Sequence, residues 1–301
     1  MADRKKLLLI MNPKSGTMLA PKHLAEIICG FSDAGYMTEV LMTTGSGDAR
    51  EFAIEYGGSV DTVVVSGGDG TLNEVLDGLI SGGHSTRLGY IPAGSTNDFA
   101  NSIGLPKGIN DCVNTILNGS AKPVDIGCFN GRYFSYVASF GAFTSVTYSV
   151  PQNLKNIFGH AAYVMSGVTE LANLKSIHAR VTADKGTPNE KVLEGDYLIG
   201  AVCNSKSIGG ILHLDKLDVD MNDGLMEIMM VKMPRDIIAL SDIAASMLSG
   251  SFKSNQIETL SASEVIIEIG KDVHWTLDGE YEKGAEVCEI KTVRSAVNII
   301  R

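Results

Sequence analysis

The chain has 301 residues, 44 % hydrophobic and 20 % charged, so a packed core in two domains is expected rather than disorder. A formal net charge of −10 argues against a general nucleic-acid binder and against a polybasic membrane anchor, both of which need local Lys and Arg excess. The five cysteines contain no CxxC pair and read as free thiols, and the six histidines show no zinc-binding spacing.

The first apolar run, Leu7–Met11, stops at Asn12-Pro13 and is a buried strand rather than a signal-peptide segment. Leu24, Ile27, Ile28 and Phe31 recur at helical spacing, with Gly35 closing that helix. Glu39–Thr43 and Thr62–Val65 read as the next strands, the latter bounded by Gly67-Gly68. Leu72, Val75, Leu76 and Leu79 mark a helix, Leu88–Ile91 a strand, and Val113, Ile116 and Leu117 a further helix. Continuous apolar strands between amphipathic helices predict a Rossmann-like α/β domain with a mainly parallel sheet covered on both faces.

Near residue 126 the texture changes. Arg132–Ser139, Ile177–Ala183, Leu198–Cys203, Leu225–Val231, Val265–Ile269, Val273–Leu277 and Val287–Ile290 read as strands at short spacing. Helices are expected over 161–174 and over Ile237–Leu248, after Pro234. The expected architecture is an α/β domain over 1–126 and an all-β sandwich-like domain over 127–301, with the last strand, Ala296–Ile300, assignable to either. No run approaches 18 apolar residues, so no transmembrane segment is expected. A cytoplasmic protein, with at most peripheral contact at the inner face of the membrane, is the corresponding expectation.

The strongest local signal is Ser66-Gly67-Gly68-Asp69-Gly70-Thr71-Leu72-Asn73-Glu74, between a β-branched strand and a helical stripe. Ligands of open α/β sheets bind at the carboxyl ends of strands, and glycines let a backbone approach a bulky anion. Glycines alone also suit a plain turn. Asp69 sharpens the reading, because a carboxylate beside a phosphate is repulsive unless a cation such as nucleotide-bound Mg²⁺ lies between them. Neither GxxxxGK[ST] nor GxGxxG is present at this loop. Asn12–Gly16 follows the first strand and Pro92–Phe99 the fourth, so three small, polar loops are expected at one sheet edge.

These loops, NPKSG, GGDGTLNEV and PAGSTNDFA, resemble the diacylglycerol kinase catalytic domain of soluble bacterial lipid kinases. Val124-Asp125-Ile126-Gly127, Asn222-Asp223-Gly224 and Asp278-Gly279-Glu280 extend the resemblance in the same order over nearly the whole chain. GGDGT alone is shared with NAD kinases and, more loosely, phosphofructokinases; its combination with PAGSTNDFA and a late DGE is more specific. The resemblance implies ATP as co-substrate, its phosphates on Asn12, Pro13, Lys14, Ser15 and Gly16 and on Gly67, Gly68, Asp69, Gly70, Thr71, Leu72 and Asn73. Thr43 and Ser95 fall on the nucleotide side. Asp69 and Asp98 would organise Mg²⁺, with Asp125 supporting them; read without chemistry, the first two cap helices and Asp125 lies in a junction turn.

The resemblance assigns the general base to the Asp278-Gly279-Glu280 segment and leaves open which carboxylate accepts the hydroxyl proton. Regular strand geometry would put both on one face, whereas a turn at Gly279 would separate them. Asp220, Asp223 and the Leu225 carbonyl match a second, structural Mg²⁺ position, which Asn222 weakens by replacing an acidic residue. Phe134, Tyr136, Phe140, Phe143 and Tyr148, or Phe158, Tyr163, Val164 and Met165, are either core or the border of an acyl-chain groove between domains.

The resulting expectation is a lipid kinase that moves the γ-phosphate of ATP to a lipid hydroxyl at a membrane surface, diacylglycerol first. The alternatives are a sphingoid-base or phosphatidylglycerol kinase, an NAD kinase-like enzyme, and a non-catalytic nucleotide-binding regulator. A homodimer is one way to cover exposed sandwich edges.

Overall fold

The computed structural model describes residues 4–16, 20–141, 175–208, 212–213 and 219–301. The helix expected over 161–174, and Phe143, Tyr148, Phe158, Tyr163, Val164 and Met165, lie outside the described residues. The chain divides into two compact units, Met1–Ile126 with Arg294–Arg301, and Gly127–Val293.

In the first unit, β1 (Lys5–Met11), β2 (Tyr36–Met42), β3 (Thr62–Gly67) and β4 (Arg87–Pro92) are connected by α1 (Leu24–Asp33), α2 (Asp48–Tyr56) and α3 (Asp69–Ser81). Then come α4 (Asp98–Ser102), α5 (Ile109–Asn118) and β5 (Ala121–Phe129). The strand order is β2-β1-β3-β4, all parallel, and the end of β17 (Val287–Ile300) adds beside β4, also parallel. All six residues of β3 and the last five of β1 are buried, as strands covered on both faces require. On one face Leu7, Leu9, Met11 and Val64 pack against Ile27 and Phe31 of α1 and Val113 and Ile116 of α5. Across the other, α2 and α3 approach through Gly78, where a Cβ would stand 2.4 Å from the Arg50 carbonyl oxygen. β2 and β3 flank β1 on opposite sides, so the order of the sheet reverses there. The carboxyl ends of β1 and β3 therefore form the switch point at which such sheets hold ligands.

In the second unit, β9 (Lys191–Cys203) serves two antiparallel ladders. Its first half pairs with β8 (Ile177–Ala183), which pairs with β14 (Glu264–Ile269) and through it with β17. Its second half pairs with β7 (Val137–Gly141) and β12 (Met226–Lys232). β13 (Ile257–Ala262) extends this ladder beyond β12, and β15 (Trp275–Leu277) with β16 (Glu280–Glu282) extends it beyond β7. β6 (Arg132–Phe134) pairs with β5, and β10 (Ser207–Ile208) with β11 (Leu212–His213). Helix α6 (Ile237–Leu248) starts at Asp236, whose carboxylate accepts the Ala239 N–H at 2.8 Å. Both ladders share one core. Trp275 is fully buried, its ring centroid 4.8 Å from those of Phe129 and Phe140. Phe134 and Phe140 belong to that core.

The α/β domain and the sandwich-like domain are thus both present; three local expectations change, and one helix, α2, was not expected. Arg132–Ser139 is two strands, because the N–H groups of Ser135 and Tyr136 turn to the Asp278 carboxylate instead of a neighbouring strand. Val287–Ile290 and Ala296–Ile300 are one continuous strand of 14 residues, with Ser295 at φ 49°. Asp125 lies inside β5 rather than in a turn. Helix α2 escapes periodicity because it buries only Ala49 and Ala53.

Candidate active site

Three loops meet at the carboxyl edge of the parallel sheet. Asn12 directly follows β1: its backbone N–H donates to the Ser66 carbonyl at 2.9 Å and its side-chain Nδ2 to Thr71 Oγ1 at 3.1 Å. Its Oδ1 accepts the Lys14 N–H at 2.9 Å, which curls the loop. The Gly68 N–H donates to Ser15 Oγ at 3.3 Å. Gly16 has φ +52°, and a Cβ there would stand 2.2 Å from the Ala93 carbonyl oxygen. A Cβ at Gly94 would stand 2.7 Å from the Gly68 Cα. Only glycines permit this approach of three backbones. Pro13 is half-buried at the bend and Lys14 is exposed. Thr43 is buried at the end of β2, its N–H on the Met11 carbonyl at 2.9 Å.

Asp69 opens helix α3, with Gly70, Thr71, Leu72 and Asn73 in its first turns, the last three buried. The Asp69 carboxylate accepts the N–H groups of Asp98 at 3.2 Å and Phe99 at 3.3 Å, and the Thr96 hydroxyl at 3.4 Å. It therefore satisfies the open end of another helix, α4. Burial, and then the negative charge of Asp98, raise the Asp69 carboxyl above the usual carboxylate range; the three donors pull the other way. Asp98 is itself buried. The loop before it is closed by Asn97, at φ 53°, whose Oδ1 accepts the Gly94 N–H at 2.9 Å and whose Nδ2 donates to the Gly94 carbonyl at 3.0 Å. Ser95 lies exposed on that loop. Asp125, buried in β5, accepts the Ser295 N–H at 2.7 Å.

Glu74 carries a role that the motif alone did not reveal. Its Oε1 accepts the Gly47 N–H at 2.9 Å and the Ser46 hydroxyl at 3.2 Å, and its Oε2 accepts the Ala49 N–H at 3.2 Å. Asp48 Oδ2 holds the same loop from within, accepting the N–H groups of Thr44 and Gly45 and the Thr44 hydroxyl. The loop after β2, which begins at Thr43, is thus stitched to the helix that begins at Asp69.

In the second unit, Asp278 and Gly279 are the two turn residues between β15 and β16, both with positive φ (52° and 83°), as this kind of hairpin requires. The turn separates the two carboxylates. Asp278 points inward and is buried: its Oδ2 accepts the Ser135 N–H at 2.5 Å and hydroxyl at 2.8 Å, and its Oδ1 the N–H groups of Tyr136 at 2.9 Å and Val137 at 3.0 Å. Burial pushes its carboxyl up to about 6 against the pull of those four donors. Glu280 points outward, 48 % exposed, with Oε2 on Arg132 Nη2 at 2.6 Å. Its Oε1 has no partner among the described residues. Asp220 and Asp223 each accept a backbone N–H two residues on, from Asn222 at 3.1 Å and Leu225 at 2.9 Å, in an exposed turn. Among the described residues no group of three or more His, Cys, Asp or Glu side chains is spaced to hold a metal ion.

Glycine loops at the switch point of a parallel sheet, buried carboxylates beside them and a β-sandwich after them are the layout of a nucleotide-dependent kinase. The comparisons agree. Residues 6–129 match the family model of the diacylglycerol kinase catalytic domain. Residues 137–301 match that of the YegS C-terminal NAD kinase beta sandwich-like domain. The chain is 35 % identical over 280 residues to the diacylglycerol kinase of Bacillus subtilis (strain 168), covering 92 % of this chain and 90 % of that protein. It is 31 % identical over 280 residues to the diacylglycerol kinase of Staphylococcus saprophyticus, with coverages of 92 % and 90 %. The crystal structure of a diacylglycerol kinase from Bacillus anthracis str. Sterne superposes with a TM-score of 0.75 at 25 % identity, covering 100 % of this chain and 98 % of that one. The chain belongs to the diacylglycerol kinase family, a family of lipid kinases, which implies ATP as the phosphoryl donor.

Proposed function

We propose that this protein transfers the γ-phosphoryl group of ATP to the free hydroxyl of diacylglycerol, giving phosphatidic acid. The observation that carries the reading is the meeting of the Asn12–Gly16, Gly67–Asn73 and Pro92–Asp98 loops around Asp69. Their glycines leave room for phosphate oxygens, and the first N–H groups of α3, which have no partner within the helix, favour negative charge. Lys14 adds a positive charge to that cradle, Thr43 and Ser95 lie toward the nucleotide, and Glu74 keeps the Thr43 loop in place.

Mg²⁺ fits this donor set. Asp69 and Asp98 are both buried, and the charge of each disfavours the other, which a hard divalent cation on carboxylate oxygens relieves. They would hold the ion, which when bound neutralises charge on the transferred phosphoryl group. Asp125 stands apart from this donor set: its partner Ser295 precedes Asn298, which lies opposite Arg87 at the amino end of β4, whereas Asp69 and Asp98 follow the carboxyl ends of their strands. A structural Mg²⁺ at Asp220, Asp223 and the Leu225 carbonyl belongs to the same proposal; the Oδ2 atoms of both aspartates remain clear of the turn bonds.

For the proton, the geometry favours Glu280 over Asp278. All four acceptor positions of Asp278 are occupied by protein donors, so it anchors the hairpin. Glu280 is solvent-facing, with Oε1 open to a substrate hydroxyl. No helix among the described residues is long and apolar enough to cross a membrane, so we place the encounter with the lipid at the membrane surface.

The test is ATP-dependent phosphorylation of diacylglycerol, phosphatidylglycerol, sphingosine and a long-chain prenol in mixed micelles, with NAD as a soluble control and Asp69→Ala alongside. Transfer to diacylglycerol that disappears in the variant is expected. Transfer to a different lipid alone reassigns the acceptor, and transfer to NAD alone overturns the lipid reading.

A further inference from the structure

We infer that Arg132 is a positioning residue for the Glu280 carboxylate, an inference that rests on reading Glu280 as the proton acceptor. Strand β16 has three residues and, among the described residues, one ladder partner, β15. A hairpin this short is weakly held by its own backbone pairs. Arg132, from β6, engages three consecutive residues of β16. Nη2 donates to Glu280 Oε2 at 2.6 Å, and Nη1 donates to Glu282 Oε2 at 2.6 Å and to the Tyr281 carbonyl at 3.2 Å.

A guanidinium is a rigid plane whose donors diverge at fixed angles. Glu280 and Glu282, two apart on a strand, share a face, and the fork fits between them. One oxygen of Glu280 is thereby tied down while the other is left presented. The same stretch of chain supplies the second anchor, since the N–H groups of Ser135, Tyr136 and Val137 grip Asp278 at the turn. Glu280 is therefore held from both sides in sequence, at 278 and at 282, by residues 132–137. Arg132 and Glu280 are 35 % and 48 % exposed, too solvated for the pair to add much to folding stability. Its effect belongs in turnover. Lysine cannot replace it, because one ammonium group lacks the planar fork.

The experiment measures kcat, KM for ATP and lipid, and melting temperature for the full chain and for Arg132→Gln, Arg132→Lys, Glu280→Gln and the Arg132→Gln/Glu280→Gln double variant. Arg132→Gln is expected to lower kcat about tenfold or more, with both KM values within about twofold of the parent. Arg132→Lys restores only part of that loss. In the Glu280→Gln background the Arg132 substitution changes kcat by less than about twofold, because its target is already gone. Additive losses in the double variant, or a loss of kcat that tracks the melting temperature, overturn the inference and leave Arg132 a stabiliser of the hairpin. A Glu280→Gln enzyme with parental kcat overturns the reading of Glu280 itself, and the inference with it.

Discussion

Two buried aspartates, one in each unit, show how similar side chains are prepared for different work. Asp69 and Asp278 are both desolvated, and burial raises both carboxyls. Asp278 faces four close donors between 2.5 and 3.0 Å. Asp69 faces three longer ones, between 3.2 and 3.4 Å, and a second carboxylate. Asp278 is thus enclosed by donors, whereas Asp69 caps α4 through longer bonds beside a like charge. Buried charge enclosed by donors is accounted for by the fold, and buried charge beside a like-charged neighbour is a candidate binding site.

The sharpest way to break this contrast is Asp69→Asn. It keeps an acceptor for the α4 N–H groups and removes the charge, so activity should fall about a thousandfold. Its melting temperature should stay level or rise, because repulsion from Asp98 is relieved. Retained activity would remove Asp69 from the chemistry. Asp278→Ala should do the opposite: with three backbone N–H groups and a hydroxyl left without an acceptor, it should cost about 3–5 kcal/mol in urea unfolding. An unchanged midpoint would show that water replaces the carboxylate.

The pH dependence of stability sharpens the same point. The Asp278 carboxyl is raised from 3.8 to about 6 on folding, so the folded state binds its proton more tightly than the unfolded state. The stability it contributes is therefore full below pH 3.8 and is lost as pH rises through about 6. Urea titrations across that window should show this fall in the parent chain and its absence in Asp278→Asn. The smallest effect is expected at Glu74→Gln, which loosens the Thr43–Ala49 loop and should raise KM for ATP about three- to tenfold with little change in kcat.

Much of the first unit was legible in the chain. β1 and β3 carry continuous apolar stretches, Leu7–Met11 and Val63–Val65, because both faces of the sheet are buried, and α3 carries the stripe Leu72, Val75, Leu76 and Leu79 because one face packs inward. The three loops could be read as a set because each is a short segment of Gly, Ser, Asn and Asp after a strand. α2 was not legible, since a helix packed through Ala49, Ala53 and the gap at Gly78 needs no large apolar stripe. Nor was the break in Arg132–Ser139, whose cause is a carboxylate 143 residues away in sequence from Ser135.

The amino-acid sequence by itself determined the α/β and β-sandwich plan, the phosphate-loop candidates and the family, since each rests on local spacing or on motif order. Tertiary structure alone decided that Asp278 and Glu280 face opposite ways, that Glu74 stitches a neighbouring loop, and that Arg132 grips a strand 148 residues further along. The physical reason is that hydrophobic period and turn chemistry act over a few residues and leave their mark on the chain. The partner of a buried carboxylate or a guanidinium is set only when distant segments are packed together.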